Sequence, residues 1–318
     1  MGLPSICCIP TFVLIFVLTS LSAMQIKEES FKVAGHVFSL RMDQEEEMWR
    51  DLDNYSPFLY QGEEERAFSL ELVEELSIDG KEALFVPDQP EPFERRLDLF
   101  QVDGGYLFEM GPVRNIPVCG WLKTTSDFSQ AFLKVNEAKQ YCINTALMIL
   151  YAFRTAGMGT LQMHSSVTVK DGKGYLFLGK SGTGKSTHSS LWLKNIPGTH
   201  LLNDDNPIVR FLDGGARVYG SPWSGKTPCY RNEDYPIGAI VQISRAPYNA
   251  IQRLTPLESI ASIASASSGL RAIRSITDSL FATISSIVQT VPCYVMKCLP
   301  DDEAALVCAN GVAAGASL

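Results

Sequence analysis

The sequence predicts an α+β protein in two parts. Residues 24–135 form a β-rich N-terminal region, and residues 136–318 form a second domain with a mixed or antiparallel sheet and C-terminal helices. Three observations carry this. Before residue 136 the apolar residues alternate or run in short stretches broken by glycine and proline. After it, stretches with helical spacing interleave with short apolar runs. Between two of these, the strand-like run Tyr175, Leu176, Phe177, Leu178 leads into Gly179, Lys180, Ser181, Gly182, Thr183, Gly184, Lys185, Ser186 and Thr187, and then into a segment able to form a helix. That run fits G-x-x-x-x-G-K-[ST] in its confirming order of strand, loop and helix.

The totals bound the function. A chain of 318 residues with 46% hydrophobic and 19% charged residues is globular, with room for one large domain or two ordinary ones. A net charge of −8 without a lysine/arginine block excludes nucleic acid as a partner class. The acidic triplets at 45–47 and 63–65 read as solvated faces. The eight cysteines, Cys7, Cys8, Cys119, Cys142, Cys229, Cys293, Cys298 and Cys308, contain no C-x-x-C and lie in apolar stretches. They are expected as small buried hydrophobes in a reducing, cytoplasmic compartment.

Residues 1–23 hold an apolar run over 9–21 with no preceding lysine or arginine. The basic start of an export signal is missing, so a misassigned start before Met24 or Met42 is the favoured reading. A membrane anchor over 9–23 and a true export signal stay open; without the anchor, no membrane association is expected.

In chain order, residues 31–40 hold two short apolar segments about Gly35. Residues 68–72 alternate as a half-buried strand does, and residues 97–102 and 106–110 flank Asp103, Gly104 and Gly105 as a hairpin. This region is expected to be antiparallel. Ala138, Cys142, Ala146, Ile149 and Phe153 recur at helical spacing, giving a linking helix over 136–157 that ends at Gly157 and packs on the second domain. Residues 161–169 and 175–178 are two strands joined by a turn, hence an antiparallel pair. Another hairpin spans 208–219, and a loop rich in glycine, proline and cations spans 221–232. A strand over 237–243 has 251–254 as its expected partner. Thr255, Pro256 and Glu258 form a capping box. Helices over about 256–269 and 273–287, a strand over 291–299 and a helix from Asp301 complete the chain.

The residue types of the loop follow from its chemistry. Glycines let successive backbone N–H groups wrap phosphate oxygens, helped by the helix N-terminus behind them. Gly179, Ser181, Gly182, Thr183, Gly184, Lys185, Ser186 and Thr187 are therefore the expected nucleotide contacts. Lys185 reaches the β- and γ-phosphates and Ser186 ligates Mg²⁺. Asp204 and Asp205 end an apolar run 19 residues beyond Lys185, as in a Walker B strand. One carboxylate is expected on Mg²⁺, and the other is free to orient or deprotonate a hydroxyl. His164 lies on the strand expected to pair with the one before the loop, which brings it near the phosphates. Lys226 and Arg231, in the loop over 221–232, are candidates to neutralise phosphoryl charge.

Taken together, His164, the loop over 179–186, and Leu202, Asn203, Asp204 and Asp205 resemble the catalytic domain of HPr kinase/phosphorylase, whose nucleotide fold is shared with ATP-dependent phosphoenolpyruvate carboxykinase. The resemblance covers roughly the second half of the chain. It implies ATP and Mg²⁺ as cofactors, Asp205 as general base, Asp204 near the metal with Ser186, and His164 beside the phosphates. In that family the phosphate goes to a serine hydroxyl on a small protein, and the reverse reaction also occurs. Thr187 stands where the family carries an acidic residue, and the N-terminal half has no counterpart there. The expected activity is therefore transfer of the γ-phosphate to a different hydroxyl, on a protein or peptide. A nucleotide sensor without transfer and a simple NTPase are the alternatives, and assembly with further copies of the same chain is open.

Overall fold

The computed structural model describes residues 25–87, 94–225, 227–269 and 272–315. The apolar leader over residues 1–23 lies outside these. Two mixed sheets and five α-helices make up the described residues.

The first sheet contains β1 (Ile26–Val33), β2 (His36–Asp43), β3 (Arg66–Leu72), β4 (Glu82–Phe85), β5 (Arg96–Val102), β6 (Gly105–Gly111), β7 (Gly120–Thr125) and β8 (Gln130–Val135). Their order is β1-β2-β3-β8-β7-β6-β5-β4. The predicted hairpin is present as β5/β6, and the two segments about Gly35 pair as a second one, β1/β2. The region is not antiparallel throughout, however, because β3 pairs parallel with both β2 and β8. A parallel pair needs a crossover, and the chain between β2 and β3 supplies one. Its two 3₁₀ turns bury Met48, Leu52, Tyr55 and Phe58 in the core of that sheet.

The linking helix α1 (Lys139–Thr155) runs on through a 3₁₀ turn, Ala156–Met158, and closes at Gly159 in the left-handed conformation, two residues beyond the expected stop. Its buried residues, including Cys142, Leu147, Leu150 and Tyr151, pack in one core with Phe38, Leu70 and Phe108 of the first sheet. The same core also takes in Ile208, Trp223 and Ile273 from the second half of the chain. The helix is thus shared by both halves, whereas the sequence led to packing on the second domain alone. Trp223 is 4% exposed, lies edge-on to Tyr55 and Tyr151, and donates its indole N–H to the Tyr55 hydroxyl at 2.8 Å. Replacing a buried indole with a methyl group leaves a cavity as well as losing transfer energy. Trp223→Ala is therefore expected to cost about 3–5 kcal/mol, read as a lower urea midpoint.

The second sheet is built from β9 (Thr160–Gln162), β10 (Ser165–Lys170), β11 (Lys173–Leu178), β12 (His200–Asn203), β13 (Ile208–Leu212), β14 (Gly215–Tyr219), β15 (Asp234–Arg245), β16 (Ala250–Arg253) and β17 (Cys293–Cys298). The helices are α2 (Lys185–Asn195), α3 (Pro256–Ala266), α4 (Arg274–Thr290) and α5 (Asp302–Gly315). The main path runs β12-β10-β11-β15-β14-β13-β9. β10 and β11 are antiparallel as expected, whereas β11 and β15 are parallel. β16 pairs with β17 rather than with β15, because β15 is already flanked by β11 and β17 over residues 240–242. β11 is apolar on both sides because both are covered. Leu176 and Leu178 join the core under α3 and α4, while Phe177 joins the one holding Trp192 of α2 and Cys308 of α5.

Cys119, Cys142, Cys229, Cys293, Cys298 and Cys308 are free thiols; Cys7 and Cys8 lie outside the described residues. Among the described residues, no helix is long and apolar enough to cross a membrane.

Candidate functional site

β11 delivers the chain into the loop, and α2 carries it away. Gly179, Gly182 and Gly184 have φ of 154°, 77° and 111°, conformations a side chain would strain. Gly184 precedes α2 with no side-chain cap. The first N–H groups of α2 thus have neither an intrahelical partner nor a cap, which suits an anion. Ser181, Ser186 and Thr187 are exposed on this surface, and the Thr183 hydroxyl donates to the Lys180 carbonyl. Arg245, at the end of β15, donates to the carbonyls of Gly182 and Thr183. A cavity of 510 Å³ opens beside the loop, lined by Thr187, Leu191, Ile243, Arg245, Leu299 and Pro300.

Lys185 is 8% exposed. Its Nζ lies 3.0 Å from the Gly179 carbonyl and 2.9 Å from Nε2 of His164. Burial pulls the ammonium below the ordinary lysine range, against the opposing pull of Asp205 and Asp204. The other His164 nitrogen, Nδ1, stands 2.9 Å from Oδ1 of Asp205. A carboxylate only accepts and an ammonium only donates, so Nδ1 carries the proton and Nε2 accepts from Lys185. Lys185, His164 and Asp205 thus form one relay of hydrogen bonds.

His164 reaches this position because the expected strand over 161–169 is broken. β9 and β10 lie at separate places in the sheet, and Met163 and His164 span the gap between them. The freed backbone groups are satisfied across the gap: Met163 N–H donates to Pro207, His164 N–H to Ala266 and Ser165 N–H to Asp205.

The aspartates follow β12 in a turn built by Asn203, which is fully buried. Its Oδ1 accepts from the N–H groups of Asp205 and Asn206, both at 2.9 Å, and its amide donates to Ser221 and to the Trp223 carbonyl. The Asn206 amide donates to Oδ2 of Asp205 at 2.7 Å. Burial pushes the Asp205 carboxyl up, but the His164 hydrogen bond and the charges of Lys185 and Arg95 outweigh it. The carboxyl sits below its ordinary value. Asp204 is 4% exposed; Oδ1 accepts from Ser166 at 3.0 Å, Ser166 also meets Ser189 of α2, and Oδ2 is buried without a partner.

The structure therefore gathers Lys185, His164, Asp204 and Asp205 around the loop. Arg231 lies 3.4 Å from Glu233 and beside Cys229, and among the described residues no hydrogen bond or ion pair joins it to the aspartates. Lys226 lies outside the described residues, although Gly225 just before it packs against Asp204 and Asp205. Sequence reasoning missed Arg245, Arg95, Ser166 and Ser189, and gave Asn203 no role of its own. An Asn two residues before a turn carboxylate is a legible signal; the arginines leave none.

No protein-family model and no curated protein matches this sequence. Among solved structures, the chain is similar to the Hpr(Ser) kinase/phosphatase from Coxiella burnetii, at 13% identity and a TM-score of 0.28, over 47% of this chain and 95% of that one.

Proposed function

We propose that the protein is an ATP- and Mg²⁺-dependent phosphotransferase acting on a hydroxyl. The observation that carries this is the relay from Lys185 through His164 to Asp205. It links the cation at the phosphate loop to a carboxylate positioned as a base. The phosphates occupy the loop and the uncapped start of α2, and the nucleoside lies in the adjoining 510 Å³ cavity, whose size suits a small ligand.

The donor set suits Mg²⁺. Asp204 offers a buried oxygen without a partner, Ser186 offers an exposed hydroxyl on the first turn of α2, and this ion commonly takes one or two carboxylates plus phosphate oxygens. When bound, Mg²⁺ would neutralise charge on the transferring phosphoryl group.

The chain's own residues do the rest. Asp205, its two oxygens held by His164 and Asn206, takes the proton of the acceptor hydroxyl. The acceptor oxygen forms a bond to the γ-phosphorus as the bond to the β-phosphate oxygen breaks, and ADP leaves. Lys185 exchanges its contact with His164 for the phosphoryl oxygens. Incubating the full chain with Mg²⁺ and γ-labelled ATP against lysate proteins and peptides tests the reading. Label is expected on a hydroxyl of an acceptor; nucleotide binding without transfer would replace the enzyme with a sensor, and phosphate release alone with an NTPase.

A further inference from the structure

Another cavity, of 290 Å³, is set between the first sheet, α1 and the end of β9. β5 and the residue before it contribute Leu97 and Arg95, α1 contributes Ile149 and Phe153, and Gln162 and Ser268 close it. It adjoins the relay through the backbone. Gln162 is two residues before His164, its carbonyl accepts from Ser268 N–H, and His164 N–H donates to Ala266. The first sheet, with no role so far in the proposed chemistry, thus supplies part of a wall beside the base.

Two groups in this cavity call for a ligand. Gln162 is 2% exposed, and its side-chain Nε2 has no partner. A buried N–H donor left unpaired is costly, so it marks a place where an acceptor atom belongs. Arg95 is exposed and makes no ion pair among the described residues, and its planar fork suits a carboxylate. Its charge reaches Asp205, since it helps hold that carboxyl below the ordinary range. The volume lies just below the range of small-molecule sites, roughly 300–1,000 Å³. It accommodates a side chain rather than a second nucleotide, and the rest of the acceptor must lie outside it.

We propose that this cavity is the acceptor subsite, and that the acceptor is a peptide whose reacting hydroxyl is flanked by a large apolar side chain, seated against Leu97 and Phe153, and by an acidic side chain paired with Arg95. Gln162 then donates to a carbonyl of the same peptide. This rests on the phosphotransfer reading above.

The test offers the full chain, Mg²⁺ and γ-labelled ATP a library of peptides with a central serine and randomised flanks. Labelled peptides are expected to be enriched in Asp or Glu and in Leu or Phe at fixed offsets. Arg95→Glu, at an exposed position, is expected to raise KM for the best peptide about tenfold or more with a smaller effect on kcat, and to move the acidic preference to Lys or Arg at the same offset. Labelling without a flanking preference, labelling of free hydroxy amino acids in place of peptides, or an unchanged KM in Arg95→Glu would overturn the subsite. If no peptide is labelled, retention of the library on the chain loaded with a non-hydrolysable ATP analogue separates the two readings. Acidic–apolar peptides held by the wild type and released by Arg95→Glu keep the subsite and defeat transfer, whereas no selective retention defeats the subsite.

Discussion

Lys185→Met is expected to lose about 10²–10³-fold or more in kcat/KM for transfer, and to weaken ATP binding as well. Methionine is close to isosteric with the lysine stem but carries no charge. The loop glycines and the uncapped start of α2 remain, so the variant keeps the anion's backbone donors and loses the cation. Lys185 is also 2.9 Å from His164, so its removal leaves Nε2 without a donor. Titration with a fluorescent ATP analogue, beside single-turnover transfer, separates the two losses. Undiminished transfer would remove Lys185 from the phosphoryl contacts and with it the reading of the loop.

Asp205→Asn is expected to reduce transfer by about 10²–10⁴-fold while nucleotide affinity is largely kept, because the amide preserves the shape of the turn but cannot accept the proton. The pH profile adds an independent check. The Asp205 carboxyl is held below its ordinary value, with the His164 hydrogen bond and nearby positive charge outweighing burial. It is therefore ionised throughout the neutral range, and the acid limb of the rate falls below the ordinary aspartate range. The corresponding stability is present above the unfolded carboxyl's pKa and is lost as pH falls through the lower folded value. In His164→Ala the carboxyl loses the partner that holds it down, so the acid limb is expected to move upward. A limb that stays in place in that variant would show that His164 does not act through Asp205.

How much of this could be read from residues alone varies with how local each feature is. The succession of β11, glycine-rich loop and α2 was legible because all three lie within one short stretch with residue types at fixed spacing. The order of His164, Lys185 and Asp205 was legible too, but their contact came about differently than expected. A continuous strand would have set His164 on a regular pleat, whereas the break between β9 and β10 sets it between Lys185 and Asp205. Parallel pairing of β3, the partner of β16 and the packing of α1 on both halves depend on distant segments, so no local pattern reports them. Arg95 lies just after a proline-rich stretch and far in sequence from Asp205, and Arg245 ends an apolar strand. Neither position differs in composition from an ordinary surface arginine.

The core under α1 has a consequence for how such a chain can change over time. Tyr55 and Trp223 share a hydrogen bond, and Ile208 and Ile273 are buried with Phe38 and Leu70. Separating the chain near residue 136 would leave a greasy scar on each piece, so the front half is not a cartridge that can be exchanged for another. On the acceptor subsite proposed above, a new preference would have to be acquired in place, by substitutions around the rim near Arg95. Each would be screened for whether the shared interior still closes.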